Sequence, residues 1–215
     1  MDFPDHSRHD QRRSVAGRVA LTVLLAAALI AASCAHSPQS GWVTLIDGQA
    51  GLDNFNRIGD ANWRAEGGAI VADKGKGGYL VSKNSYKDFE IYAEFYAETS
   101  TNSGIFIRAS DPKKIGAVSA YEVNIFDQRP DPSYGTGGIV NFAVVNPMPK
   151  AGGNWNVYEI YAKGPQMTIK LNGAVTVSIQ NSQFASGPFA LQYGAGANNA
   201  PGGAIKWRKV MVRPI

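Results

Sequence analysis

Arg108, Glu122 and Asn124 are the side chains whose types and spacing could do chemistry together. They fall in two neighbouring segments, NSGIFIR (Asn102–Arg108) and YEVNIFD (Tyr121–Asp127). Both segments alternate with a period of two, so every second side chain lies on one face of a strand. Arg108 then shares a face with Phe106, and Glu122 shares one with Asn124 and Phe126. Ile105, Ile107, Tyr121, Val123 and Ile125 form the opposite, apolar side. Paired antiparallel, the two strands would offer a guanidinium, a carboxylate, an amide and an aromatic ring on one sheet face. Such a surface suits a polyhydroxylated ligand. The plainer account is a cross-strand ion pair on a solvated face, worth about 0.2–1 kcal/mol.

The elements that must position these residues read as strands. Period-two runs occur at Trp42–Ile46, Ala69–Ala72, Phe89–Ala97, Gly104–Ala109, Tyr121–Phe126, Tyr158–Ala162, Met167–Leu171, Val175–Ile179, Phe189–Tyr193 and Ile205–Val212. Turn residues separate them, drawn from 24 Gly and 11 Pro in the chain. Many short strands with frequent turn signals predict an all-β antiparallel sandwich or jelly roll. Asn172-Gly173, between MTIKL and AVTVSI, predicts a type I′ hairpin. The inner faces should carry Ile105, Ile107, Val123, Ile125, Ile160, Ile169, Leu171 and Leu191. Trp42, Phe55, Trp63 and Phe89 are expected in the core. Trp155 follows a Gly-Gly-Asn turn, where it could stack on a sugar ring or be buried for packing. Tyr134, in the Pro-rich loop Arg129–Tyr134, is a further candidate for ligand contact.

Composition narrows the chemistry. The histidines are His6, His9 and His36, and the one cysteine is Cys34. From Gly41 onward there is neither. That excludes a Ser-His-Asp or Cys-His nucleophile, His/Cys zinc sites and disulfides in this part of the chain. Catalysis there must use carboxylates, Tyr, Lys, Arg or a hard metal; no cofactor is required, and a divalent ion held by oxygen ligands stays open. The formal net charge is +4 over 215 residues. The basic residues are scattered, so nothing points to nucleic acid as a partner. An ordinary two-carboxylate glycosidase is unsupported: Glu122 and Asp127 are about 17 Å apart along a strand and point to opposite faces.

The N-terminal stretch has the form of a leader. Arg8, Arg12, Arg13 and Arg18 precede the apolar run Val19–Ala32, which is too short for a comfortable membrane span. The run ends in Ala31-Ala32-Ser33-Cys34, which resembles a bacterial lipoprotein signal. Residues 1–34 are therefore expected to be a signal peptide, with Cys34 as the lipid attachment point. Residues 35–40 read as a tether and 41–215 as the folded domain. The expected location is the bacterial cell envelope, with the membrane as a partner through the N-terminal lipid. An ordinary signal peptide with an incidental cysteine is the alternative.

NSGIFIR followed by YEVNIFD resembles the core of the 3-keto-disaccharide hydrolase-like domain family. GWVTLIDGQAG, WRAEGGAI, KDFEI, NWNVYEI, LNG, GPFALQY and IKWRKVMV continue that family's pattern in order, from Gly41 to Ile215. Asn124 stands where many members have glutamine, and Asp127–Pro149 follows the short Gly-Thr-Gly-Gly version. The resemblance implies a concanavalin or lectin-like sandwich and cleavage of glycosides already oxidised to a ketone at C3. It implies Glu122 as the general base, its pKa raised by partial burial or held down by Arg108. It also implies Arg108 or a bound metal at the enolate oxygen, and Asn124 and Gln192 on substrate hydroxyls, with Trp155 at the margin. The other readings are a carbohydrate-binding module and a cell-surface interaction domain without catalysis.

Overall fold

A computed structural model describes residues 41–215. The leader, Cys34 and the tether lie outside the described residues. Thirteen strands carry the fold, and there is no α-helix among the described residues. The larger sheet contains β1 (Val43–Asp47), β3 (Arg64–Glu66), β4 (Ala69–Ala72), β6 (Phe89–Ala97), β9 (Asn154–Lys163), β10 (Gln166–Leu171), β11 (Ala174–Gln180) and β13 (Ile205–Pro214). Its order is β11-β10-β9-β6-β13-β4-β3, with β1 also paired to β13. The smaller sheet contains β2 (Phe55–Gly59), β5 (Gly77–Ser82), β7 (Ser103–Ile107), β8 (Tyr121–Ile125) and β12 (Ala190–Gly194), in the order β2-β5-β12-β7-β8. Every strand pair is antiparallel.

Alternation drives this arrangement. In β6 the side chains from Phe89 to Ala97 alternate strictly between buried and half-buried. One face therefore enters the core and the other meets solvent, as an antiparallel sheet with one wet face requires. All eight expected inner-face residues lie in the buried cluster between the sheets, alongside Phe89, Phe95, Tyr158 and Trp207. Asn172 and Gly173 both adopt positive φ between paired Leu171 and Ala174, which is the predicted two-residue hairpin. Phe55, Trp63 and Phe89 are buried as expected. Trp42 is not: it is half-buried, with the Arg213 guanidinium 5.1 Å from its ring centroid.

Strand β5 carries no alternation in sequence because it opens on Gly77-Gly78, which reads as a turn. Close approach of a neighbour explains the glycine. A Cβ on Gly78 would sit 2.7 Å from the Ile58 carbonyl oxygen of β2. The open edge of β8 is covered by the segment after the Pro-rich loop. Asn124 N donates to Gly138 O, Gly137 N to Asn124 O, and Val140 N to Glu122 O. These bonds hold β8 against slippage and cover most of that edge.

Candidate active site

The outer face of the five-stranded sheet assembles the site in two adjacent rows. Cross-strand register places Asn56, Val81, Ala190, Phe106 and Glu122 in one row. Ile58, Tyr79 and Gln192 form the next, and the same register continues it through Gly104 to Asn124. Gly104 has no side chain, so a gap opens between Asn124 and Gln192. Those two positions are two strand spacings apart, about 9–10 Å. Phe106 and Tyr79 meet edge to face at 5.4 Å, and with Val81, Ala109, Ala120 and Ala190 they make a small apolar cluster beside the gap.

Glu122 lies at the end of its row, only 8 % exposed. Among the described residues its carboxylate has no hydrogen-bond or ion-pair partner. Burial therefore raises its pKa from 4.5 to about 7, opposed only by the charge of Arg129. Tyr79 responds to the same site. Burial first, then the Glu122 carboxylate, push its hydroxyl above the ordinary value, while the Gln192 amide acts in the opposite direction.

Among the described residues, three buried polar atoms in this part of the molecule have no partner: Asn124 Oδ1 and Gln192 Oε1 on the same sheet face, and Arg129 Nε on the adjoining loop. The Asn124 amide is oriented by its own Nδ2, which donates to the Tyr134 carbonyl at 2.6 Å. Its oxygen is thereby held ready to accept from something else. An unsatisfied buried acceptor or donor costs about 1–3 kcal/mol. Three such atoms on the side of the molecule that carries this buried carboxyl are open to a ligand or to water.

The expected site residues divide into two groups. Glu122, Asn124 and Gln192 come together on this face, as alternation predicts. Tyr134 enters through its backbone carbonyl, and its side chain is half-buried. Arg108 does not belong to the face. Its φ of +54° ends the alternation of β7 and turns the side chain away from Phe106. The guanidinium is buried, donating to Lys87 O at 2.9 Å and Gly164 O at 2.7 Å, with Asp88 Oδ1 at 3.4 Å. It ties β7 to the chain entering β6 and to the β9–β10 turn. Trp155 does not belong either. It lies on β9 in the other sheet, opposite Tyr96, with the Arg208 guanidinium 4.3 Å above its ring.

Arg129 is the cation that the sequence reading missed, along with Tyr79. A signal for Arg129 was present: it opens the Pro-rich loop directly after YEVNIFD. Asp127 and Asp131 hold backbone instead. Asp127 accepts from Thr136 Oγ1 and from the Ala151 and Gly152 amides, and Asp131 caps Ser133 N. Among the described residues no group of three or more His, Cys, Asp or Glu side chains could hold a metal ion.

The 3-keto-alpha-glucoside-1,2-lyase-like domain model matches residues 41–213, and the chain belongs to that family. No curated protein matches it. Among solved structures, it is similar to two candidate glycosyl hydrolases from Parabacteroides distasonis. One shares 20% identity over 81% of this chain and 99% of the other, with a TM-score of 0.64. The second shares 17% over 81% and 89%, with a TM-score of 0.60. The carbohydrate-binding module CBM66 from Bacillus subtilis shares 14% over 80% and 95%, with a TM-score of 0.50. At these identities the likeness is one of fold.

Proposed function

We propose that this domain cleaves the glycosidic bond of 3-keto-glycosides, with Glu122 as the general base. Family membership supports a carbohydrate-related function, and the buried, unpaired carboxyl of Glu122 supports catalysis over simple binding. A ketone at C3 makes the C2 proton acidic. Glu122 takes that proton, and the C2–H electron pair becomes the enolate of the ketone. The enolate then re-forms the ketone, the C1–C2 double bond forms, and the C1–O bond breaks. The leaving oxygen departs with the bond pair and takes a proton, from protonated Glu122 or from water. Water adds across the new double bond in a later step.

One base suffices for this route, and histidine is not needed. A base with a pKa near the working pH balances ionised fraction against proton affinity, which suits a carboxyl raised to about 7. Arg129 supplies positive charge near the enolate in place of Arg108. Asn124 and Gln192 accept hydrogen bonds from ring hydroxyls. The activity, kcat/KM, should rise with pH through about 7 on the limb set by Glu122. Glu122→Gln keeps size and removes the base. Its kcat/KM on a 3-keto-glucoside should fall at least about 10²-fold. Full turnover by this variant would remove Glu122 from the mechanism.

The CBM66 likeness favours a second reading, a binding module that uses the same face without turnover. Glycan binding by wild type with no cleavage of any oxidised sugar would select it. We also propose anchoring at the cell envelope through a lipid on Cys34. Mass spectrometry of the mature N-terminus checks this, and a soluble chain with a free thiol would refute it.

A further inference from the structure

In the two rows of the Glu122 face, Glu122 and Tyr79 carry the ionisable side chains; the other positions hold amides, glycine and apolar groups. Tyr79 and Phe106 lie on β5 and β7, with β12 between them, so their backbones are about 9–10 Å apart. Their ring centroids nonetheless meet at 5.4 Å, edge to face. The two rings lean together over β12, where the small side chain of Ala190 leaves room. Phe106 is paired in turn with Glu122 on β8. The lean carries the phenol of Tyr79 toward the Glu122 end of the face.

The hydroxyl of Tyr79 is placed differently from those of the core tyrosines. Tyr121 donates to Asn181 Oδ1, Tyr158 to Asn124 O and Tyr193 to Gly202 O. The fold uses those three phenols as ties. Tyr79 is half-buried and lines an open cleft of about 440 Å³, with the Gln192 carboxamide beside its hydroxyl.

We infer that Tyr79 is the proton donor to the leaving oxygen and works as a pair with Glu122. The inference rests on the reading of Glu122 as the base at C2. While Glu122 is engaged at C2, the glycosidic oxygen on the next carbon needs an acid of its own. Arg129 keeps its protons at any working pH, and the amides of Asn124 and Gln192 have none to give. As the C1–O bond breaks, its electron pair stays on the oxygen. The Tyr79 O–H bond breaks with it, and the proton joins that oxygen to give a neutral alcohol and a tyrosinate. Protonated Glu122 then returns a proton to the tyrosinate through solvent in the cleft. C2 has lost one proton, the alcohol has gained one, and both residues are reset.

The two groups are coupled by charge. Burial and the Glu122 carboxylate hold the Tyr79 hydroxyl above its ordinary pKa, so it keeps its proton until substrate arrives. When Glu122 takes the C2 proton its charge disappears, and that part of the upward push disappears too. Tyr79 becomes a stronger acid at the step that needs one.

The test is Tyr79→Phe, which keeps the ring against Phe106 and removes only the acid. Cleavage is compared on methyl 3-keto-glucoside, whose alkoxide must be protonated, and on para-nitrophenyl 3-keto-glucoside, whose phenolate leaves without a proton. We expect kcat/KM to fall at least about 10²-fold on the first and less than about 5-fold on the second. Exchange of the C2 hydrogen of the methyl glycoside in deuterium oxide, followed by NMR, should stay within about 2-fold of wild type, because the base is intact. Equal losses on the two glycosides would make Tyr79 a binding or structural residue. Loss of C2 exchange would place it at the enolate. Either result, or full activity on both glycosides, would overturn the inference. A wild type that cleaves neither glycoside refutes the cleavage reading itself, and the acid with it. A wild type that cleaves both, beside a variant that cleaves them equally well, refutes only the role of Tyr79.

Discussion

On the outer face of the eight-stranded sheet, the half-buried carboxylates Glu90 and Glu94 are paired, and Glu159, on the neighbouring β9, is exposed. Glu90 accepts from Arg213, and Glu94 accepts from Arg208 and from the Tyr92 hydroxyl. On the outer face of the five-stranded sheet, Glu122 has no such partner among the described residues. The contrast shows in the acidities. Burial pushes both Glu94 and Glu122 upward. At Glu94 the bonds from Arg208 and Tyr92 outweigh it, and the pKa ends below its ordinary value. At Glu122 only the charge of Arg129 opposes, and the value rises to about 7. The two sheet faces thus differ in how their carboxyl groups are satisfied, and that difference is what makes the Glu122 face the candidate site.

The partner count sharpens the contrast. Five buried side-chain polar atoms lack partners among the described residues. Two are the indole nitrogens of Trp63 and Trp207, in the core; the other three belong to Asn124 and Gln192 on the Glu122 face and to Arg129 on the loop beside it. The larger sheet's outer face contributes none. Trp155 illustrates the difference: an exposed tryptophan looks like a sugar platform, but here Arg208 already covers its ring.

The sharpest way to break this comparison is to neutralise one carboxylate on each face. Glu122→Gln should cost at least about 10²-fold in activity, whereas Glu90→Gln should change it less than about 2-fold. Comparable losses would mean that polar satisfaction does not locate the site.

The same pair of variants should diverge in stability, and with a pH signature. The folded-state pKa of Glu122 lies above its ordinary 4.5, so the folded protein holds the extra proton between about 4.5 and 7. Stability is fullest below that window and declines as pH rises through it. Glu122→Gln removes this loss and should stabilise the protein by up to about 3 kcal/mol at pH 8, with the gain fading toward pH 5. Urea melts at the two pH values check this, and a gain independent of pH would contradict a buried ionising group.

Arg108 offers the opposite test. Arg108→Ala removes a buried guanidinium together with its bonds to Lys87 O, Gly164 O and Asp88. A loss of about 2–3 kcal/mol in stability is expected, with the pH profile of any 3-keto-glycoside cleavage by the remaining folded protein unaltered. A shifted limb near pH 7 would return Arg108 to the site. The smallest effect belongs to Glu90→Gln, where a partly exposed ion pair is lost; its stability should change by no more than about 1 kcal/mol.

Much of this was legible in residue order. Alternation in YEVNIFD fixed which side of β8 carries Glu122 and Asn124, because a strand has a period of two whatever its surroundings. Asn172-Gly173 specified its hairpin for an equally local reason: both residues tolerate positive φ. The absence of histidine and cysteine from Gly41 onward limited the chemistry before any coordinates. Other features depended on contacts distant in sequence. Arg108 lies on the same alternation as Phe106, yet a backbone turn at one residue sends it to carbonyls at 87 and 164. Arg129 acts on Glu122 through its charge, from a loop where no periodicity applies. Tyr79 was hidden by Gly77-Gly78, whose need for glycine arises from the close approach of β2. A residue's own strand fixes its face, but its partners come from strands and loops that can lie 123 positions away, as Arg213 does from Glu90, so only the packed sheets decided which polar groups would be satisfied and which left open.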